Sequence, residues 1–421
     1  MTSSTVRPLS GLIAADIIST LGSEMTTVAL PWFVLVTTGS PARMGAVLAA
    51  EFAGLTVLGL ASGRAATLLG PRRTMLGSDL ARGALIGLIP VLFTLGWLSF
   101  GVILAIAFVV GGFFPAYQSS SRLIVAGLVE DDELRLTRTG GLLNAVNESA
   151  SFLGPPLGGA LVVLLGPGPV LLLDSASYGL AFLLIGTLVP AVRATLPDED
   201  PSVRGGLRYL WRDRRLRRLV LGMGVVEIGF TALIATAPIL ALQLTGGLSD
   251  GVRTGGNGGA SVAGWLLGAY GAGSVAGGLI STRARGTGGR TQAFAIAGLA
   301  ASTWALLLPV PVWGRALAIA GTGIASGLFF PRFFAALTTQ TPPELRARVL
   351  TAVTVALSAP GPVGFLGAGI LAQWTGSATA CLVLVAVSAS VGAALVVSAH
   401  LSDGTVVGPP PQREPHRLSS E

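Results

Sequence analysis

The sequence predicts an all-α membrane protein of twelve transmembrane helices, arranged as two pseudo-symmetric halves of six. Three observations carry that prediction. Of the 421 residues, 51% are hydrophobic and only 11% charged, and the mean hydropathy of +0.74 lies far above that of soluble domains. Apolar stretches of about 20 residues, the length that crosses a hydrocarbon core, follow one another along most of the chain. The chain also repeats itself. Gly111, Phe113, Phe114 and Pro115 return as Gly327, Phe329, Phe330 and Pro331; Glu133-Leu134-Arg135 returns as Glu344-Leu345-Arg346; Gly154-Pro155 returns as Gly361-Pro362; and Pro31 with Thr38-Gly39 returns as Pro238 with Thr245-Gly246. The offsets cluster near half the chain length, which marks a duplicated unit rather than chance repetition.

The first half, residues 1–190, contains spans at about Leu9–Leu35, Met44–Ala66, Thr74–Leu95, Val102–Gln118, Leu142–Leu165 and Val170–Val189. The second, residues 219–400, contains spans at about Leu219–Leu242, Val262–Ser281, Gln292–Leu308, Ala316–Ala336, Val349–Trp374 and Ala378–Ala399. Between them, residues 191–218 begin with prolines and the acidic run Asp198-Glu199-Asp200 and become strongly basic around Trp211, the composition of a linker with a surface-lying amphipathic segment. The Gly-rich stretch from Gly246 to Gly259 reads as a flexible loop, because no lysine follows it and no strand precedes it. Residues 401–421 are polar and hold Pro409, Pro410 and Pro411, which predicts a disordered tail.

Charge gives orientation. Every basic residue other than histidine is an arginine, and the arginines concentrate in alternate loops, with eight between Arg193 and Arg218, whereas the other set of loops carries Arg43, Arg253 and Arg315. The positive-inside rule then places both termini and the linker in the cytoplasm, with the chain multi-pass in the cytoplasmic membrane. The net charge of +7 forms no continuous stripe, so nucleic acid is not an expected partner. Cys381 is the one cysteine and His400 and His416 the two histidines, all toward the C-terminal end. No disulfide, thiolate metal cluster or histidine-based catalytic centre is therefore expected, and neither a metal nor another cofactor. The run from Met1 to Pro8 leads straight into a span too long for a signal h-region, so no cleavable signal is expected.

Leu21-Gly22 with Val28-Ala29-Leu30-Pro31, Thr38-Gly39-Ser40-Pro41, Asp79 with Arg82, Leu173-Asp174-Ser175 and Gly206-Leu207-Arg208-Tyr209 together resemble the major facilitator superfamily over roughly Arg7 to His400, and within it the branch of macrolide-efflux proteins and the enterobactin exporter, among drug:proton antiporters. The superfamily's loop between spans two and three is kept at Gly63, Gly70, Arg72 and Arg73, but Thr67 and Leu68 replace its acidic and next basic positions. The resemblance implies that this loop latches the cytoplasmic side, so the usual latch is weakened here. Asp79 and Arg82, three apart on one helix face, are candidates for a substitute ion pair. Gly154-Pro155-Pro156-Leu157-Gly158-Gly159 matches the Gly-Pro-x-x-Gly-Gly signature of drug exporters, and Gly361-Pro362 puts the same device in span eleven. Independently of any family, glycines let helices approach closely and proline frees a carbonyl and bends the helix, the makings of a seal or hinge; ordinary small-residue packing is the alternative. The arginine that many drug antiporters carry in span four is missing.

Charge inside the membrane is the last signal, since a mid-helix carboxylate costs about 2.5–3.5 kcal/mol on insertion scales. Under the resemblance, spans one, four, seven and ten line a central cavity. Glu24 near the middle of span one and Asp16, two turns toward the cytoplasm, are candidates for proton coupling or cationic-substrate contact, because a carboxylate that alternates between protonated and charged states is what a proton-coupled cycle needs. Glu227 in span seven and Glu51 in span two join them, with a salt bridge to an arginine and a helix-facing position as their structural alternatives, and Arg332 in span ten either pairs with one of these carboxylates or holds an anionic group on the substrate, with snorkelling as its alternative. Glu148 and Asp174 read as structural. Tyr117, Gln118, Asn144 and Asn147 either orient a ligand or bond between helices.

The function expected is secondary active transport: proton-coupled export of a hydrophobic small molecule such as a drug, antibiotic or other secondary metabolite, by a monomer working through alternating access in the bilayer. With no ATP-binding loop, the energy comes from an ion gradient, worth about 2.3 kcal/mol per charge per 100 mV. A proton-coupled importer of a nutrient or siderophore and a lipid flippase are the alternatives. An enzyme is not expected, because no nucleophile clusters with a base.

Overall fold

The computed structural model describes residues 3–129, 133–191, 203–245, 258–283, 289–341 and 345–401. Most of the Gly-rich stretch, part of the linker and nearly all of the tail lie outside these residues. With no water in a bilayer core to satisfy backbone groups, a chain this apolar closes its hydrogen bonds within helices. The first half runs α1 (Ser3–Thr38), α2 (Pro41–Leu69), α3 (Pro71–Thr94), α4 (Phe100–Val129), α5 (Glu133–Leu165) and α6 (Pro167–Leu188). The linker forms α7 (Val203–Arg212), and the second half runs α8 (Arg214–Leu244), α9 (Gly258–Arg283), α10 (Gly289–Ala305), α11 (Val312–Gln340), α12 (Arg346–Ser358), α13 (Gly361–Thr375) and α14 (Ala378–Leu401). Among the described residues, nine segments are long and apolar enough to cross a membrane by that measure alone. Three spans of the twelve fall outside it. α1 carries polar and charged residues in its apolar run, α5 counts there only as the shorter apolar stretch Ser149–Leu165 among the described residues, and α10 is 17 residues long.

Two boundaries depart from expectation. α4 and α5 extend well past the predicted ends at Gln118 and Leu142, where neither flank contains a proline; at 30 residues, α4 is about 45 Å long and outreaches the hydrocarbon core. The expected continuous span Val349–Trp374 is instead two helices, α12 and α13. The Gly361-Pro362 repeat is preceded there by Pro360, so two backbone N–H groups are missing within three residues and the helix breaks. The Ala359 amide still bonds Val355 O at 3.0 Å and the Val363 amide bonds Pro360 O at 3.0 Å, which bridges the break. In α5, Pro155 and Pro156 are accommodated without interruption.

Glycine decides how the halves are built and how they meet. Gly70 alone joins α2 to α3, at φ +82°, a conformation that a side chain would strain, and Pro71 opens α3 with its preset φ. Within the halves the repeated glycines perform the same task twice. A methyl on Gly111 of α4 would strike the backbone of Glu51 in α2, and one on Gly327 of α11 would strike the backbone of Ser274 in α9.

The core is divided in a way that matters for function. One apolar cluster draws Trp32, Phe33 and Val47 from the first half and Leu233, Phe365 and Leu382 from the second, at the end of the bundle holding the α1–α2 turn. Toward the linker end the core separates into a cluster of the first half around Leu12, Met75 and Ile185, and one of the second around Met223, Phe329 and Val396. The halves are fused at one end and parted at the other. Trp97, Trp313 and Trp374 are exposed near turns at the fused end, where indoles suit a membrane interface.

Candidate functional site

Between the halves lies a cavity of about 410 Å³, lined by Glu24, Thr27, Ser151 and Pro155 on one side and by Phe230, Leu233, Ile234, Tyr270 and Ser274 on the other. That volume falls in the range of small-molecule sites, and so does its character, largely apolar walls with a few polar groups. Glu24 is the carboxylate in this wall. Ser151 Oγ donates to Glu24 Oε1 at 2.7 Å, tying α1 to α5 one turn before Gly154.

The Gly-Pro-x-x-Gly-Gly run is the reason α1, α5 and α9 approach so closely. Gly154 sits against the Glu24 side chain, a methyl on Gly158 would lie 2.7 Å from Met25 O, and one on Gly159 would lie 2.5 Å from Ala260 O in the other half. Gly264 of α9 in turn packs on the Pro155 carbonyl. The second copy of the motif forms the matching seam. Gly361 sits against the Phe52 ring of α2, and a methyl on Gly369 would lie 2.7 Å from Pro41 O. Both copies therefore close the fused end, one on each side of the cavity.

Behind α1 is a buried polar network belonging to the first half. Thr26 Oγ1 donates to Asp174 Oδ2 at 2.6 Å and Ser177 Oγ approaches Asp174 Oδ1 at 3.3 Å, so Asp174 is held structurally as expected. Ser23 Oγ and the Tyr178 hydroxyl share a hydrogen bond at 2.7 Å, and Arg82 Nη2 donates to Ser23 Oγ at 3.2 Å. The Arg82 guanidinium stacks over Tyr178 at 4.4 Å and faces Phe114 at 5.8 Å. The expected Asp79–Arg82 ion pair is not formed. Both residues are buried, but Arg82 turns to Ser23 and the aromatic rings, and neither oxygen of Asp79 has a hydrogen-bond partner among the described residues. Glu51 lies within electrostatic reach of Arg82 and Asp174, inside the first half.

Glu227 is one step removed from the central cavity. It lines a small pocket of about 60 Å³ within the second half, together with Thr303, Thr322, Ser326 and Phe330. Phe230 and Tyr270, with ring centroids 4.9 Å apart, belong to both cavities and stand between them. No arginine pairs with Glu227 among the described residues. Arg332 meets no carboxylate either. It is buried, and Nη1 donates to Leu328 O at 2.7 Å and Nη2 to Ser281 O at 3.3 Å, satisfying carbonyls of its own helix and of the end of α9. Neither pairing nor snorkelling describes it.

The loop between α2 and α3 makes no bridge to the second half among the described residues. Arg72 Nη2 donates to Gly186 O near the end of α6, and Arg73 is exposed. Gly63 lies within α2, and its surroundings, like the side chains of Asn144 and Glu148, fall outside the described residues. Asn147 Oδ1 accepts from Thr20 Oγ1 at 3.3 Å, an interhelical bond rather than a cavity contact. Sequence reasoning missed Ser151, Phe230 and Tyr270. Ser151 had a legible signal, a hydroxyl three residues before Gly154 in an apolar run; the two aromatics had none, because only the fold sets them across from Glu24.

Known proteins share this organisation. The protein is 26% identical over 382 residues to the multidrug efflux pump Tap of Mycobacterium tuberculosis, with 87% of each chain covered. It is 27% identical over 398 residues to Tap of Mycolicibacterium fortuitum, covering 89% of this chain and 92% of that one. Among solved structures, a mutant of the nucleoside transporter NupG superposes with a TM-score of 0.74 at 12% identity, over 93% of this chain and 99% of that one. An inward-facing bacterial homologue of the human lysosomal transporter Spinster superposes with a TM-score of 0.73 at 14% identity, over 96% and 98%. These likenesses agree on the fold, and a two-half helical carrier around a shared cavity is a multi-pass membrane transporter of small molecules rather than an enzyme. With a profile of the Major Facilitator Superfamily matching residues 12–260, well over half of the sequence, the chain belongs to that superfamily.

Proposed function

We propose that the protein exports hydrophobic small molecules across the bacterial cytoplasmic membrane in exchange for protons, as a monomer, with Glu24 carrying the coupling proton. The observation that carries this reading is the position of Glu24. It lies in the wall of a largely apolar cavity between the halves, bonded to Ser151 and packed on Gly154 of the seam that must open for the cavity to change sides. Protonation of a carboxylate in that place alters both the site and the packing of α1 on α5. The relatives named multidrug efflux pumps support the direction and the substrate class. The basic residues exposed around the linker, Arg208, Arg212 and Arg214 among them, support a cytoplasmic linker end. The conformation described, parted at that end and sealed at the other, is then inward-facing, ready to take a substrate from the cytoplasm.

Transport follows from alternating access. A substrate enters between the parted cores and contacts Phe230, Tyr270 and Leu233, while Glu24 is ionised or protonated according to the side to which the cavity opens. Retained ethidium in an efflux-deficient bacterium expressing the protein, with and without a protonophore, tests the reading. Lower accumulation than in control cells, restored by the protonophore and by Glu24→Gln, is expected. Greater uptake than in control cells would instead make the protein an importer.

A further inference from the structure

We propose that the pocket around Glu227 is a subsite for a protonated aliphatic amine, the head group of a cationic amphiphile whose apolar body occupies the central cavity. As the cargo of an exporter this ligand rests on the reading above; as a binding site it stands on the lining of the pocket. Four helices of the second half build that lining. Glu227 and Phe230 lie three apart on α8, Thr322, Ser326 and Phe330 follow one another at four-residue intervals on α11, and α9 and α10 supply Tyr270 and Thr303. Helical spacing turns each set to one face. A carboxylate, aliphatic hydroxyls and three rings thus converge on about 60 Å³, room for a few non-hydrogen atoms and not for a whole drug-sized molecule.

The chemistry of the wall selects what those atoms are. Thr303 Oγ1 donates to Ala300 O at 2.7 Å, and Thr322 Oγ1 shares a 2.9 Å bond with Ser302 Oγ and lies 3.1 Å from Ala318 O. Both threonine protons are therefore used within α10 and α11, and what these oxygens keep for the pocket is lone pairs. Ionised Glu227 is an acceptor as well, and no side-chain donor or cation reaches its carboxylate among the described residues. The carboxylates of the first half have company: Asp174 has Thr26 and Ser177, Glu51 and Asp79 lie within reach of Arg82, and Asp16 has Tyr117 nearby. An ionised Glu227 is costly until a cation neutralises it. An aliphatic ammonium meets the whole wall at once, with N–H groups toward the carboxylate and threonine oxygens, and charge and alkyl groups against aromatic rings. A bare metal ion asks for a shell of oxygen ligands, and three rings occupy the wall where those would stand. Phe230 and Tyr270 line the central cavity too, so a rotamer change of these two rings opens one space onto the other. A ligand lying along Leu233 and Ile234 then places its amine beside Glu227.

Fluorescence titration of the purified full-length protein in nanodiscs tests this with two dansyl amides, corrected for binding to empty nanodiscs. One carries a dimethylaminopropyl arm, and the other the uncharged arm in which CH replaces the nitrogen. The wild type is expected to bind the amine about tenfold more tightly than its isostere. Glu227→Gln is expected to abolish that preference while the Kd of the isostere stays as it was, which a merely structural carboxylate would not do. A wild type with no preference, or a Glu227→Gln protein that keeps it, would overturn the proposal. So would loss of amine binding when sodium replaces potassium in the buffer, which would make the pocket an inorganic-cation site. Should Glu227→Gln not yield monodisperse protein, Ser326→Val, which fills the pocket and spares the carboxylate, serves instead: loss of the preference supports the subsite, and its retention overturns it. If ethidium efflux proves insensitive to a protonophore while the amine preference behaves as expected, the exporter reading fails and the subsite stands; efflux as expected without the preference sinks the subsite alone.

Discussion

The two halves share a skeleton and differ in chemistry. Each is held together by glycine contacts at equivalent places, Gly111 on α2 and Gly327 on α9, and each supplies one copy of the Gly-Pro motif to the seams that join them. The interior of the first half contains Asp16, Glu51, Asp79, Arg82 and Asp174 in one neighbourhood. The second offers Glu227 in an isolated pocket and Arg332 bonded to backbone carbonyls, with Thr303, Thr322 and Ser326 supplying hydroxyls in place of charge. Duplication preserved two bodies of matching shape that touch along small residues. Among the described residues, linked charges lie in one body, where one guanidinium and several carboxyl groups share a neighbourhood, and the other body turns aromatic and apolar surface to the cavity.

Breaking the charged neighbourhood is the most severe test of that contrast. Arg82→Met removes the Ser23 bond, the stacking on Tyr178 and the positive charge nearest Asp79, Asp174 and Glu51 together, and is expected to cost about 3–5 kcal/mol, seen as lost folded yield or a lowered Tm of the purified protein. Arg332→Met, at a residue just as buried, is expected to cost less, about 1–3 kcal/mol, because only carbonyl partners are lost. Equal losses would dissolve the distinction between the halves.

The seam comes next. Gly159→Val forces a side chain toward Ala260 O and is expected to disfavour the sealed end by about 1–3 kcal/mol, which shifts the balance of the two conformations by roughly 5- to 150-fold. Spin-label distances across α5 and α9 report that shift, and Gly179→Ala, where nothing lies within 4 Å, is the control expected to leave them unchanged. A smaller effect follows from Thr26→Val, which strips Asp174 of its 2.6 Å donor. About 1.5 kcal/mol of stability should be lost, measured by thermal unfolding in detergent, with protonophore-sensitive efflux retained. The smallest effect is expected for Glu227→Gln: a change in KM for individual compounds and no loss of proton coupling, read from efflux rates across a set of antibiotics and dyes. Loss of coupling there would move the proton-carrying role into the second half.

How much of this the sequence disclosed depends on the kind of interaction. Apolar length and arginine spacing announce a helix span because the bilayer imposes them on a continuous stretch. The glycine seams were legible because duplication wrote them twice. The break between α12 and α13 was not anticipated, although Pro360 and Pro362 lie two apart, because in α5 a comparable proline pair leaves the helix whole and tertiary contacts decide. Glu24 was recognisable as a carboxylate in the wrong solvent, but its bond to Ser151 joins residues 127 apart. Asp79 and Arg82 show the limit most clearly. Their spacing allows an ion pair on one helix face, and the fold instead offers Arg82 the Ser23 hydroxyl and the Tyr178 ring, which no local pattern reveals.

The claim on which the rest depends is that substrate movement and proton movement are joined through Glu24. In proteoliposomes with an acid interior and a pH-sensitive dye trapped inside, addition of a compound exported in the cell assay should drive its entry and alkalinise the lumen in the wild type. With Glu24→Gln, neither should occur. Entry without any change in lumenal pH, or a Glu24→Gln protein that matches the wild type in both, would contradict the account.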